Sequence, residues 1–398
     1  MIHRLAYGLI KAYSTLCIYL LFDKIEVFGK EHVPDGPLIF APNHQNAFID
    51  GVITSCLARK NVSFLARADV FKVNALKPLL RFFRIVPVYR LRDGASEMSK
   101  NYATFSAVQE HLGAGNSILI FPEGNQKFMR YLRPLKKGIF RIIDQCQKNE
   151  KLPKVVPVGL NYEHHTRTGY NLIVHYAPAI SYTFPLSNGF VKEREELRES
   201  MRPLTQQIGD YDLQCLSESA WLDLASYSWK GIQKEKSLIE LENDERFMND
   251  LRAWRALAFE NKLLPAKALK ARHIPTLVLV VLVYLFIAPF RILVKAVMKK
   301  ITSHKSFRLS MTFAFTLFFA PLYLFLMYGL FQLFLPGIYF LLVVIGCFFF
   351  AKNKRVLDQF NYWWRLRRLR KEQSEKHQRF IDLGLALKKQ LISIQSQG

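Results

Sequence analysis

Acidic residues are scarce in this chain: 32 Asp and Glu stand against 56 Lys and Arg among 398 residues, a formal charge of +24. That surplus calls for an anionic partner, whether nucleic acid, an anionic lipid surface or a phosphorylated substrate. No zinc-finger spacing, aromatic RNA-binding signature or basic heptad region occurs, which sets nucleic acid aside as a partner. Cysteine is sparse too. Cys17, Cys56, Cys146, Cys215 and Cys347 form no CxxC pair, which argues against a disulfide framework and a structural zinc site and for a reducing compartment around the soluble part. The apolar run from Leu5 to Phe22, preceded by Arg4 and interrupted by Lys11, lacks a small-residue cleavage site. It is expected to be a retained anchor in or on the membrane surface.

Half of the chain is hydrophobic, so it can bury a large core and also hold a membrane part. Strand candidates recur at 25–28, 38–41, 63–66, 85–88, 117–121, 155–160 and 172–177. Stretches long enough for helices lie between them, including 99–112 and 137–147. Short apolar strands alternating with helices predict an α/β domain, a largely parallel sheet flanked by helices, with its chemistry at the strand ends. Five segments are expected: a membrane-associated helix over 1–26, the α/β domain over 27–215, a helical linker over 216–273, a membrane region over 274–351 and a basic cytoplasmic tail over 352–398. Within the linker, Leu238, Leu241, Met248, Leu251 and Trp254 recur at steps of three or seven, which predicts an amphipathic helix packing on the core or on lipid.

Two uncharged runs mark the membrane region. Residues 274–290 hold Pro275 and Pro289, whereas residues 311–351 are uncharged for 41 positions. A helix of that length would measure about 60 Å, twice a hydrocarbon core, so the second run should turn at Pro336-Gly337 into a transmembrane hairpin. Six Lys or Arg in 291–308, and eight in 352–371 against the single Asp358, flank the hairpin. Both flanks belong in the cytoplasm. The shorter run 274–290 is then expected to be re-entrant or interfacial, which keeps the α/β domain on the cytoplasmic face. Tyr362-Trp363-Trp364 followed by the basic stretch 365–371 suits an anionic leaflet.

His44 sits where the strand 38–41 ends, and Asp50 follows six positions later. On a continuous helix that offset turns through about 240°, so the two can meet only if His44 lies in a turn. Asn43, Gln45 and Asn46 favour such a turn, with Asp50 in the first turns of the helix after it. The pair then reads either as a general base with its orienter or as two residues satisfying local backbone groups. Glu163, His164 and His165 look like a metal cluster, but adjacent residues on a strand face opposite ways, and no metal site is expected.

Four segments in order carry a resemblance: Asn43-His44 to Asp50, then 85–90 ending in Arg90, then Phe121-Pro122-Glu123-Gly124, then Val156-Pro157-Val158-Gly159. Together they resemble the glycerolipid acyltransferases of the lysophosphatidate acyltransferase (PlsC-like) type over about residues 27–182. The resemblance implies that His44 is the base, that Asp50 orients it, and that Glu123 and Gly124 help hold the acceptor. Arg90, Lys127 and Arg130 would pair with a phosphate, with Arg133 in the same basic cluster. It further implies transfer of a fatty acyl group from acyl-CoA or acyl carrier protein to a hydroxyl of 1-acylglycerol 3-phosphate, with no cofactor beyond the acyl donor. Partners would be a bilayer with anionic lipids, the thioester donor and a phosphate-bearing lipid acceptor. Two departures stand out. Five residues separate His44 from Asp50 where the family usually has four, as in some glycerol-3-phosphate acyltransferases. Asn125-Gln126-Lys127 also replaces the usual Thr-Arg-Ser, so Lys127 or Arg130 would supply the missing arginine's role. Glycerol 3-phosphate or an amino-acid lipid as acceptor stays open, as does a non-catalytic lipid-binding scaffold.

Overall fold

The structure, a computed structural model, describes residues 2–58, 62–67, 85–88, 100–148, 152–208, 243–261, 263, 273–301, 308–333 and 338–395. Its strands are β1 (Ile25–Phe28), β2 (Leu38–Pro42), β3 (Val62–Arg67), β4 (Ile85–Val88), β5 (Ser117–Leu119), β6 (Lys154–Tyr162) and β7 (Leu172–Tyr176). They form one sheet in the order β1-β7-β6-β2-β5-β3-β4. Every pairing is parallel except β6 with β7. The largely parallel α/β sheet expected from the sequence is present, and the antiparallel return of β7 is the feature its pattern did not signal.

The central strand β2 is apolar throughout because both sheet faces are covered there. From β2, Leu38 and Phe40 enter a core with Ile18 and Phe22, which come from α1 (Ile2–Leu21) and the residue after it, and with Ile49 and Ile53 of α2 (Ala47–Leu57). Ile39 and Ala41 point the other way. They meet Val108 of α3 (Lys100–Gly113), Ile139 and Ile143 of α4 (Gly138–Gln145) and Leu197 of α5 (Val191–Met201). Each such side chain, fully buried, contributes roughly 1.5–3 kcal/mol. Helix α1 buries Tyr7, Ser14, Ile18 and Leu21 and leaves Leu5, Leu9, Leu16 and Tyr19 exposed, so its outer face is apolar.

Helix α6 (Glu245–Glu260) is capped by Asp244, whose side chain accepts from the Phe247 amide at 2.9 Å. Met248, Leu251 and Trp254 are buried, as the sequence spacing predicts, while Leu238 and Leu241 lie outside the described residues. Their partners come from the basic C-terminal segment. Tyr362 and Leu369 of α10 (Arg355–Glu372) and Phe380 and Leu387 of α11 (Ser374–Gln395) close this second core. That segment is therefore a packed helical pair and not a free tail.

Helix α7 runs from Ile274 to Ile301 without a break at Pro289. This differs from the short element expected over 274–290. Pro275 falls in the first turn, where amides have no helical partner to lose, and an apolar helix absorbs a single internal proline with a local bend. At 28 residues the helix measures about 42 Å. Ile274–Val297 and, within α8 (Arg308–Gln332), Leu309–Leu330 are long and apolar enough to cross a membrane. Helix α9 (Ile338–Asn353) has 16 residues and matches the expected hairpin pattern at the shorter length. At its end, Lys352 Nζ donates to the Phe22 and Asp23 carbonyls at 3.1 Å each, and Arg355 pairs with Glu163, so the hairpin returns to the α/β domain.

Candidate active site

The strands β6, β2 and β5 are neighbours in the sheet and run parallel, so their C-terminal ends open on one edge. That edge gathers residues 42–50, 120–124 and 162–165. At the end of β2 the chain is held by Asn43. Its Nδ2 donates to the Leu160 carbonyl at 3.0 Å, the Leu160 amide donates to its Oδ1 at 2.7 Å, and its own amide donates to Val158 O at 3.2 Å. The side-chain amide thus continues the β2–β6 ladder one step beyond Pro42 and fixes the direction in which His44 leaves the sheet.

The turn from His44 to Asp50 is closed by the Asp50 side chain, which is completely buried. Its Oδ2 accepts from His44 Nδ1 at 2.9 Å, from the Gln45 amide at 2.8 Å and from the Asn46 amide at 2.6 Å. Its Oδ1 accepts from the Tyr162 hydroxyl at the end of β6. Four donors converge on two oxygens, an arrangement matched to an ionised carboxylate, which accepts and does not donate. Helix α2 begins at Ala47, which has φ of 47°. A non-glycine residue in that left-handed region costs about 1–2 kcal/mol.

Since Nδ1 faces the carboxylate, Nε2 is the imidazole nitrogen left to act as a base. The ring lies flat on Phe121, with centroids 3.6 Å apart and planes 10° from parallel, which blocks rotation about its bond to the backbone. The His44 carbonyl accepts from the Lys127 amide at 3.1 Å and from Arg133 Nη2 at 3.3 Å. On the other side, Gln45 Oε1 lies 2.9 Å from His165 Nε2, and Asn46 Nδ2 donates to the His165 carbonyl at 3.0 Å.

After β5, Gly124 adopts φ of 75°, and its amide donates to the Phe121 carbonyl at 3.0 Å. A Cβ there would stand 3.0 Å from Lys136 Cγ in a backbone conformation that side chains resist. Glu123 turns inward and pairs with Arg133, whose guanidinium also donates to Asn125. Burial pushes the Glu123 carboxyl up from 4.5 to about 7, and the Arg133 charge, pulling the other way, does not cancel it. Lys127 is exposed beside this turn.

Two sequence expectations change here. Arg130 is only 1% exposed. Its Nη1 donates to Tyr162 O at 2.7 Å and Gln206 Oε1 at 2.6 Å, and its Nη2 to Glu163 O at 2.9 Å. Its charge is spent clamping the end of β6, so it does not offer a surface to an acceptor phosphate. Arg133, from the same basic cluster, instead joins Glu123, Asn125 and the His44 carbonyl. Secondly, His164 and His165 lie in the bend after β6, not on the strand. His165 meets Gln45, while the His164 Nδ1 accepts from the Thr166 amide at 3.2 Å. Arg90 lies outside the described residues. Tyr162 escaped the sequence reading because it lies 112 positions from Asp50. The only sequence signal for it was its place at the end of the Pro-containing strand.

Residues 24–161 match the Acyltransferase family model. The matched segment is about a third of the chain, and it holds His44, Asp50, Glu123 and the strands that carry them. Two curated relatives are the chloroplastic 1-acyl-sn-glycerol-3-phosphate acyltransferases BAT2 of Brassica napus and LPAT1 of Arabidopsis thaliana. Each is 28% identical over 134 residues, which is 33% of this chain. The chain spans about a third of their lengths, 37% and 35%. Among solved structures, the 1-acyl-sn-glycerophosphate acyltransferase PlsC of Thermotoga maritima aligns at a TM-score of 0.40 and 18% identity, over 51% of this chain and 79% of that one.

Proposed function

We propose that the chain is a membrane-associated O-acyltransferase that moves a fatty acyl group from a thioester to a hydroxyl of a phosphate-bearing lysolipid, with 1-acylglycerol 3-phosphate as the first candidate. The observation that carries this reading is the 2.9 Å bond between His44 Nδ1 and Asp50, set in a segment that matches the Acyltransferase family model. A carboxylate so placed selects the tautomer with a free Nε2 and stabilises the imidazolium formed when that nitrogen takes a proton. The names of the two plant relatives support the choice of acceptor.

In this mechanism Nε2 removes the acceptor hydroxyl proton as the oxygen attacks the thioester carbonyl. The tetrahedral intermediate collapses, the carbon–sulfur bond breaks, and the imidazolium returns its proton to the leaving thiolate. Such a positioned base is worth roughly 10²- to 10⁴-fold in rate. Lys127, exposed next to a backbone amide that is bonded to the His44 carbonyl, would meet the acceptor phosphate, and Arg133 would hold the turn in place. Acyl-CoA or acyl carrier protein supplies the acyl group. The apolar outer face of α1 and the helices α7, α8 and α9 would attach the protein to an anionic bilayer, and the basic segment 352–371, tied to the α/β domain through Lys352 and Arg355, would keep the catalytic edge on the cytoplasmic face.

The test is thiol release from acyl-CoA and acyl carrier protein by the full chain in vesicles. Acceptors are 1-acylglycerol 3-phosphate, glycerol 3-phosphate and a lyso amino-acid lipid, with His44→Ala alongside. Acylation that depends on His44 is expected. Equal turnover by His44→Ala would remove His44 from the mechanism, and co-purified lipid without thioester consumption would turn the reading towards a lipid-binding scaffold.

A further inference from the structure

Helix α2 starts with an unusual deficit. Its N-cap residue, Asn46, makes no side-chain cap bond. The Asn46 Nδ2 is spent on His165, and its backbone amide goes to Asp50. The first turn of a helix has amides with no partner inside the helix, and buried ones need a partner from elsewhere. For Ile49, which is buried, that partner is Ser310: the Ile49 amide donates to Ser310 Oγ at 3.2 Å. The same hydroxyl donates to the Asn46 carbonyl. One hydroxyl can do both, since it carries one donor and two acceptor sites. Ser310 is completely buried and lies in the first turn of α8, 261 positions from Ile49.

The surroundings make this contact part of the fold and not a chance touch. Leu309, Phe313 and Leu317, spaced at four along α8, enter the same core as Phe40, Ile49 and Ile53. Phe313 packs on Phe48 with ring centroids 6.1 Å apart, and the Tyr13 hydroxyl donates to the Leu317 carbonyl at 3.0 Å. The long apolar helix therefore reaches the segment between His44 and Asp50 from behind.

We infer that Ser310 is a positioning residue for the His44–Asp50 pair, capping α2 in trans from the apolar helix α8 and so coupling the seating of that helix to the geometry of the base. This rests on the acyltransferase reading for its consequence in turnover but not for its structural content. Without the hydroxyl, the Ile49 amide loses its partner in a buried place, the Asn46 carbonyl loses one of its donors, and the turn that holds Asp50 against His44 loosens. Because Ser310 is completely buried behind α2, its loss should act on kcat and leave KM unaltered.

The experiment uses the full chain in vesicles as wild type, Ser310→Ala and Ser310→Thr. Turnover is measured by thiol release, and backbone amide exchange by mass spectrometry over 44–52. For Ser310→Ala, kcat should fall about tenfold, the rate equivalent of about 1.4 kcal/mol. KM for donor and acceptor should hold, and exchange should quicken over 44–52 while the rest of the sheet stays protected. Ser310→Thr keeps the hydroxyl and should recover most of the loss. A kcat loss below about threefold in Ser310→Ala overturns the inference, as does unchanged exchange over 44–52 or exchange quickened alike throughout the sheet. If the wild type turns over no acceptor, the acyltransferase reading falls alone. The exchange comparison then decides the capping role by itself.

Discussion

Replacing Asp50 by Asn separates the charge of that residue from its shape. The amide cannot oppose its NH2 to the Gln45 and Asn46 amides and His44 Nδ1, all of which donate to the present Oδ2. It must therefore keep its oxygen towards the turn and point its NH2 at Tyr162, whose hydroxyl can rotate to accept. The backbone of the turn should survive this exchange. The loss is the negative charge beside the imidazolium that forms when Nε2 takes the substrate proton. Two unit charges about 4 Å apart at an effective dielectric near 20 interact by about 4 kcal/mol, which corresponds to about three orders of magnitude in rate. The expected result is a kcat about 10³-fold lower in thiol-release assays, with KM nearly unchanged and circular dichroism as in the wild type. A variant folded as the wild type whose kcat stays within about tenfold would refute the assignment of Asp50 as the charge that supports His44.

Two further outcomes concern groups around the pair. Because the Glu123 carboxyl is raised from 4.5 to about 7, the folded protein holds that proton more tightly than the unfolded chain does. Its contribution to stability is complete below about pH 4.5 and lost as pH rises through about 7, a difference of up to about 3 kcal/mol. Glu123→Gln should flatten that part of the pH dependence of unfolding by denaturant, and an unchanged slope between pH 5 and 8 would contradict the burial argument. Arg130→Lys should lower stability by about 3 kcal/mol, because a compact ammonium cannot span the acceptors that the guanidinium fork reaches with two nitrogens, while KM for a phosphate-bearing acceptor stays unchanged. A raised KM with an unaltered melting temperature would return Arg130 to the binding surface.

The parts of this fold legible in the sequence are those governed by local pattern. The apolar runs marked every strand, since strands covered on both faces have no polar alternation to hide them. The residues 85–88 coincide with β4, and β2 differs from its expected span by one residue. The turn at His44 was legible because Asn, Gln and Asp favour turns and a carboxylate in a first helical turn can reach back to the preceding amides. Contacts distant in sequence were not. Whether Arg130 or Arg133 faces the site depends on how an irregular segment lies across the ends of β5 and β6, and nothing in three residues of spacing decides it. Tyr162 and Ser310 act on the turn from 112 and 261 positions away. The short element over 274–290 is expected from the basic residues that flank it, and charge does not mark where a helix ends: α7 runs on past Arg291 to Ile301 with Pro289 carried inside it.

Ala47 bears on how this region can change in length. Ile49, Ile53 and Leu57 line one side of α2 and are locked in the core. Inserting a residue within that helix would rotate everything beyond it by about 100° and move part of this set out of its packing partners. An added residue is therefore tolerated only ahead of the helix, where a single left-handed residue reverses the chain without disturbing the helical phase of Ile49 and the residues beyond it. The segment between base and carboxylate thus behaves as a spacer of adjustable length set between two fixed parts, the end of β2 and the first turn of α2.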